Sequence, residues 1–375
     1  MRYAKSLAAA AAVATALSAA GSAEAKGPPY KIYLSMSYIG NDWQAESANM
    51  LKAMASSKAY KDKVDLHVQV AGPSAQKQSQ QINAMVQAGA DAIIMYAVSG
   101  TLLNQAIRNA CEKGVLVYTY DSPVTEPCAN NISANNAEVG RIGAEWLAKQ
   151  LNGRGNIVMI NGVPGTSPDT DRNTAAKAVF AKYPDIKIIA EGAGMWSQAV
   201  GRQELQKIVA THPWSEIDGV WMQTACNQAE TLMDEAGIPD EKKKPCAGGG
   251  DNGFLVQLLP KDTEVPGANG TYRPMGAAGF SIDSPLYQAA LALKVAVKAL
   301  ETGDKPKGGT TYVPASHAGS GEAKLCKDGT WDEMKAGCNA FAPSLIGNPG
   351  WFSAIYSADT PEVGLSAALV GQPEE

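Results

Sequence analysis

The chain has 375 residues, 45% of them hydrophobic, and a formal net charge of −5. With 32 basic against 37 acidic side chains and no basic stripe, nothing in it suits a nucleic-acid partner. Lys242-Lys243-Lys244 is an isolated short run that reads as a solvated turn.

Residues 1–25 read as an export signal. Arg2 and Lys5 form a positive head, Leu7 to Ala20 an Ala-rich apolar stretch, and Ala23-Glu24-Ala25 a small-x-small cleavage site. The apolar run is short and ends in Gly21-Ser22, which argues against a retained membrane span. No cysteine follows the cleavage site to carry a lipid anchor. The remaining roughly 350 residues exceed one ordinary core and suit two domains.

Chain order then shows apolar runs alternating with helical patterns. Lys31 to Ser37 has the composition of a buried strand and empties into Asn41-Asp42-Trp43-Gln44, read as a turn, before a helix over Ala45 to Ala55. Val64 to Val70 and Ala92 to Tyr96 are strands, with a helix over Ala75 to Ala88 between them. A helix from Leu102 to Cys111, closed by Gly114, precedes the strand Val115 to Tyr120, which ends in Asp121. Repeated units of this kind require a parallel sheet covered by helices on both faces.

The cycle restarts after Asn130-Asn131. Helices are expected at Ala137 to Leu151, Thr170 to Tyr183, Ser197 to Thr211 and Gln228 to Ala236. Strands are expected at Asn156 to Ile160, Ile186 to Ala190 and Gly219 to Gln223. A late strand (Gly276 to Ile282) and a long amphipathic helix (Leu286 to Leu300) follow. Two similar α/β lobes are the economical reading, and beyond Gly303 the chain is turn-rich.

Six cysteines in an exported protein point to three disulfides rather than a metal site. Of fifteen possible pairings, proximity favours Cys111–Cys128, Cys226–Cys246 and Cys326–Cys338. Each loop would add about 3 kcal/mol by restricting the unfolded chain; free buried thiols are the alternative.

In open α/β sheets, ligands sit beyond the carboxyl ends of the strands. Polar and aromatic residues gather there: Asn41, Asp42 and Trp43; Tyr96; Asp121 and Ser122; Val163 to Arg172; Met195-Trp196; Thr224 and Asn227; and Asp251-Asn252. Carboxylates and guanidinium groups suit hydroxyl edges, and indoles suit the apolar faces of a sugar. Each also has a plainer reading. Asp121 could cap a helix, Trp43 and Trp196 could be packing, and Arg172 could lie on an exposed helix face.

An enzyme is disfavoured. The three histidines, His67, His212 and His317, sit at no strand-end site, and no nucleophile elbow, zinc motif or phosphate-binding lysine loop occurs. Gly248-Gly249-Gly250-Asp251-Asn252-Gly253 fits a dinucleotide pattern, but Lys242 to Pro245 is a poor lead-in strand and Arg273 stands where an acid is required. No cofactor or metal is expected.

From Tyr30 to Lys305 the order of these marks resembles the periplasmic substrate-binding proteins of sugar ABC transporters, ribose-binding type. The marks are the Asn41 turn, Gln81-Ile82 with Gly89 to Ile94, Val117 to Asp121, Asn135-Asn136 with Gly140-Arg141, Gly165-Thr166-Ser167 before Arg172, and Gly250 to Gly253. The resemblance implies two Rossmann-like, doubly wound lobes joined by three hinge strands. The first lobe would comprise 27–134 plus 283–312, and the second 135–282 plus the tail 313–375. It implies ligand contacts from Asn41, Trp43, Asp121, Val163, Arg172, Trp196 and Asp251, and Asp42, Tyr96, Ser122, Asn135 and Thr224 are further candidate contacts. It further implies a monomeric periplasmic receptor that hands a sugar or polyol to an inner-membrane ABC permease. A chemotaxis or kinase sensor would share every cleft residue. Gln44, Ser122, Thr224-Ala225 and Tyr96 depart from the family's pentose pocket, and the late contact is blurred into Ser281-Ile282-Asp283-Ser284.

Overall fold

The computed structural model describes residues 27–304 and 306–374. The expected export signal lies outside the described residues. In one lobe β1 (Tyr30–Met36), β2 (Val64–Val70), β3 (Ala92–Tyr96), β4 (Leu116–Tyr120) and β5 (Asn130–Ala134) are interleaved with α1 (Asp42–Ser56), α2 (Ala75–Gln87) and α3 (Asn104–Glu112). The other holds α4 (Asn136–Gln150), β6 (Arg154–Asn161), α5 (Ser167–Phe180), β7 (Asp185–Ala193), α6 (Gln198–Thr211) and β8 (Gly219–Met222). It continues through α7 (Cys226–Glu235), β9 (Cys246–Ala247), α8 (Asn252–Leu258) and β10 (Gly279–Asp283).

The chain returns to the first lobe as α9 (Gln288–Thr302) and β11 (Gly309–Val313), then crosses again for β12 (Ser316–Gly319). The tail adds β13 (Leu325–Cys326), α10 (Trp331–Lys335), β14 (Ala340–Phe341) and α11 (Leu365–Val370). One six-stranded sheet has the order β11-β5-β4-β3-β1-β2 and the other β12-β10-β9-β8-β6-β7. The first is parallel throughout, and β12 runs antiparallel to β10.

Burial on both faces explains the strand composition. Ile32, Leu34 and Met36 of β1 pack into the core under α1 and α9, while Tyr33 points into the one under α2 and α3. The segment read as a turn at 41–44 is the start of α1. The Asn41 side chain accepts from the Gln44 N–H at 2.9 Å, and Asp42 occupies the first turn. The chain passes between the sheets at Asn135, over 284–287, and at Pro314-Ala315.

Six strands went unread, among them the two-residue β13 and β14 of the tail. β5 is polar at Asn130-Asn131, β9 is two residues long, and β11 and β12 are edge strands in turn-rich sequence. The tail also departs from its expected placement on the second lobe. β14 is held there, since Asn252 and Phe341 exchange two hydrogen bonds of 2.8 Å. The last stretch lies on the first lobe instead, because Val363, Ala367 and Ala368 bury themselves in the core beneath α1 and α9. All three proximity-favoured disulfides are formed. No helix among the described residues is long and apolar enough to cross a membrane.

The lysine run is not a simple solvated turn. The Lys243 side chain is 1% exposed and reaches Asp234 and Asp240 at 3.0 Å each. Nearby on α7, Glu230 is buried with neither carboxyl oxygen hydrogen-bonded. Burial pushes this carboxyl up to about 8, with Lys243 opposing. Folding therefore raises the pKa, so native stability falls as pH climbs from about 4.5 toward 8. Glu230→Gln should raise the melting temperature at pH 8.5 and leave it nearly unchanged at pH 4.5. The gain should grow by about 1.4 kcal/mol per pH unit across that window, and equal gains at both pH values would contradict it.

Candidate functional site

A small cavity, with about 20 Å³ open to water-sized spheres, lies between the two sheets' carboxyl ends. The first lobe lines it with Asn41, Trp43, Gln44, Tyr96 and Asp121. Arg172, Trp196, Thr224 and Asp283 line it from the second, and Phe352 from the tail.

The first-lobe wall is aromatic. Trp43 stacks near-parallel to Tyr120 (6.4 Å, 16°) and meets Tyr96 edge-on (6.2 Å, 62°). Its indole N–H donates to the Ser284 carbonyl at 3.0 Å. Tyr96 is held from behind by buried Gln78, which donates to the Tyr96 carbonyl at 2.9 Å and accepts from the Val98 N–H at 3.0 Å. Asn41 commits its side-chain oxygen to the helix cap, leaving the donor half of the amide unused by it.

Opposite lies a guanidinium between carboxylates. Arg172, on α5, reaches Asp283 at 3.2 Å, donates to Asn136 Oδ1 at 2.8 Å and donates to Ser284 Oγ at 3.0 Å. Gly140 of α4 must be small, since a Cβ there would meet the Arg172 backbone oxygen at 2.2 Å. Burial pushes the Asp283 carboxyl up to about 6, with Arg172 opposing and Asp121 adding. Burial likewise holds Asp121 above its ordinary value against Arg172, Ser284 and Gln288.

The Asp121 backbone is fixed in the left-handed region (φ 56°). Its carbonyl accepts from the Ser133 hydroxyl at 3.0 Å and the Asn136 amide at 3.2 Å. The carboxyl atom Oδ1 is buried without a hydrogen-bond partner. An unsatisfied buried acceptor costs roughly 1–3 kcal/mol, so a donor arriving in the cavity would be strongly favoured.

Trp196 is set by strain and by a polar chain. Met195 and Trp196 both adopt positive φ (57° and 51°), at about 1–2 kcal/mol each. The indole N–H donates to Gln223 Oε1 at 2.8 Å, and Gln223 donates to Asp169 and Asn173 at 2.9 Å each. Gly162 makes room, because a Cβ there would stand 2.2 Å from the indole. The lobes also touch directly, the Ser167 hydroxyl donating to the Pro123 carbonyl at 3.0 Å.

Seven of the sequence-derived candidates thus share one cavity: Asn41, Trp43, Tyr96, Asp121, Arg172, Trp196 and Thr224. The other five do not line it. Asp42 is half-buried and opens onto an outer groove with Gln198 and Gly350. Ser122 donates to the Ala97 carbonyl at 2.8 Å, fixing the turn. Asn135 is exposed and caps α4. Val163 is half-buried, and its carbonyl accepts from the Thr166 hydroxyl at 2.8 Å. Asp251 caps α8, accepting from the Phe254 N–H at 2.9 Å, and burial pushes its carboxyl up to about 7.

Sequence reasoning missed Gln44, Asp283 and Phe352 as lining residues. Gln44 is one helical turn beyond Asn41, and Asp283 ends the last strand before a crossing, so both carried a signal. Phe352 carried none. Among the described residues no cluster of His, Cys, Asp and Glu could hold a metal ion.

Residues 32–305 match the family model described as periplasmic binding protein domain. The chain belongs to that family. The xylitol-binding protein of Mycolicibacterium smegmatis is 28% identical over 144 residues, covering 38% of this chain and 41% of that protein. The galactofuranose-binding protein of Escherichia coli is 25% identical over 205 residues, covering 52% and 62%. The chain therefore spans about two to three fifths of those relatives' length. The crystal structure of a galactofuranose binding protein superposes with a TM-score of 0.66 at 20% identity, covering 78% of this chain and 95% of that one. At that identity the likeness speaks for the two-lobed fold. Membership in the periplasmic binding protein family makes the chain a binding protein rather than an enzyme and implies a periplasmic location.

Removing one member of a buried ion pair typically costs 3–5 kcal/mol. Arg172→Met should therefore lower unfolding free energy by roughly that amount, and adding Asp283→Asn should recover part of it. Purely additive losses in denaturant titrations would show that the two side chains are not coupled.

Proposed function

We propose that the chain captures a neutral monosaccharide or polyol in the inter-lobe cavity and delivers it to an inner-membrane ABC permease, acting as a monomer after removal of residues 1–25. The observation that carries this reading is the buried, unpartnered Oδ1 of Asp121 in a cavity that both lobes line. Two carboxyl groups face one guanidinium there, which disfavours anionic ligands such as sugar phosphates. Asp121, Asp283 and Arg172 would take hydroxyl groups, and Trp43 and Trp196 the apolar face. The relatives named for xylitol and galactofuranose support a hydroxyl-rich ligand. Micromolar affinity corresponds to about −8 kcal/mol, within reach of a few charge-assisted hydrogen bonds plus stacking after ordering costs. Ligand contacts from both lobes would bias the hinge toward closure.

A thermal-shift screen of the mature protein against pentoses, hexoses, polyols, disaccharides and sugar phosphates should find a neutral monomeric ligand. Asp121→Ala should then weaken its binding by at least ~100-fold, a loss in the range of an interrupted charged hydrogen bond. The melting curve of the unliganded protein should change little. Retained affinity would remove Asp121 from the site.

Affinity should also depend on pH. Asp283 titrates at about 6, and a protonated carboxyl is a poorer acceptor for hydroxyls. Calorimetric affinity should fall roughly tenfold from pH 7 to pH 5 if binding must expel that one proton. A flat profile across this range would exclude Asp283 as an ionised contact.

A further inference from the structure

The tail lies outside the family match, which ends at residue 305, yet it reaches the cavity. We infer that Phe352 sets ligand size and selectivity in that cavity, an inference that rests on the binding reading above. The ring lines the cavity and is 2% exposed. It occupies wall that neither lobe supplies.

Its placement is tied to both lobes. From the first lobe, the Glu46 carboxylate accepts the Phe352 N–H with both oxygens at 3.2 Å, and the Leu286 N–H donates to the Ala354 carbonyl at 2.9 Å. From the second, Phe352 forms a β-bridge with Asp251. The Ser353 hydroxyl donates to Asn252 Oδ1 at 2.8 Å, and the Gly253 N–H donates to the Pro349 carbonyl at 2.7 Å. Gly253 permits this approach, since a Cβ there would come within 2.8 Å of the Pro349 oxygen.

A backbone pinned to both lobes in this way presents the ring as part of a fixed wall rather than a loose flap. Beside the next two tail residues lies a second small cavity, lined by Ser353, Ala354, Gly250 and Ser281 and sharing Asp283 with the first. Shrinking Phe352 would enlarge the ligand cavity beside that shared carboxylate. Glu46 is a positioning residue: it touches the tail backbone and lines neither cavity.

The test is calorimetry on the full mature chain with D-ribose, xylitol, D-galactose and maltose as probes. Wild type, Phe352→Ala, Phe352→Leu and Asp121→Asn are compared, with melting temperatures as a folding control. Phe352→Ala should weaken the best monomeric probe at least ~10-fold, the scale of lost apolar contact in a pocket. It should also shift the ratio of large to small probes by a similar factor. Phe352→Leu, which keeps most of the volume, should fall between the two and melt like wild type. Unchanged affinities and ratios in both Phe352 variants, with binding abolished in Asp121→Asn, would overturn the role of Phe352 and leave the binding site standing. Binding retained in Asp121→Asn, or no probe binding wild type, would instead overturn the cavity reading and this inference with it.

Discussion

The Arg172 guanidinium is the point on which the arrangement turns. It projects from α5 in one lobe and bonds to Asn136, Asp283 and Ser284, all at or beside places where the chain passes between lobes. A buried charge is expensive unless paired and hydrogen-bonded. Here both conditions are met within the segments that define the hinge. The same group lowers the cost of ionising Asp121 and Asp283, against the burial that raises both. Structure and recognition chemistry therefore draw on one side chain.

Around it the cavity is divided by chemistry. One wall is aromatic and braced by indole N–H and amide hydrogen bonds from Trp43 and Gln78. The facing wall is charged, and Trp196 is aimed into it by a strained turn and the Gln223 chain. Such preorganisation matters because ordering costs on binding would otherwise consume much of the contact energy. The disulfides lie elsewhere, each linking segments within a lobe or the tail.

Much of this was legible in the sequence, for reasons specific to each element. β1, β3 and β4 are buried on both faces, so their runs are mostly apolar, and strand-end logic located Trp43, Tyr96 and Asp121. β5 was not legible because Asn131 is polar and still buried: its side chain accepts from the Thr119 hydroxyl at 2.7 Å and from the Val124 N–H at 3.0 Å. Lys243 misled for the same reason, since its partners Asp234 and Asp240 arrive from the preceding helix and turn. Asn135, Ser122 and Asp251 have the right residue types at strand ends but serve caps and turns, roles that composition alone does not separate from recognition. Phe352 is beyond any local pattern, because its neighbours Glu46 and Asp251 are about a hundred residues or more away in the chain.

Three of the passages between the lobes are short, one of them the single residue Asn135, and the tail makes a fourth between β14 and α11. A residue spans at most about 3.6 Å, so the halves cannot slide apart and must swing about an axis through these passages. Displacement in such a swing grows with distance from the axis, like points along a lever arm. Arg172, bonded to Asn136 and Ser284, stands beside these passages, where such a swing would displace it least. The charged fulcrum would therefore keep its place beside the aromatic wall of the near half while the outer rim of the cleft moves.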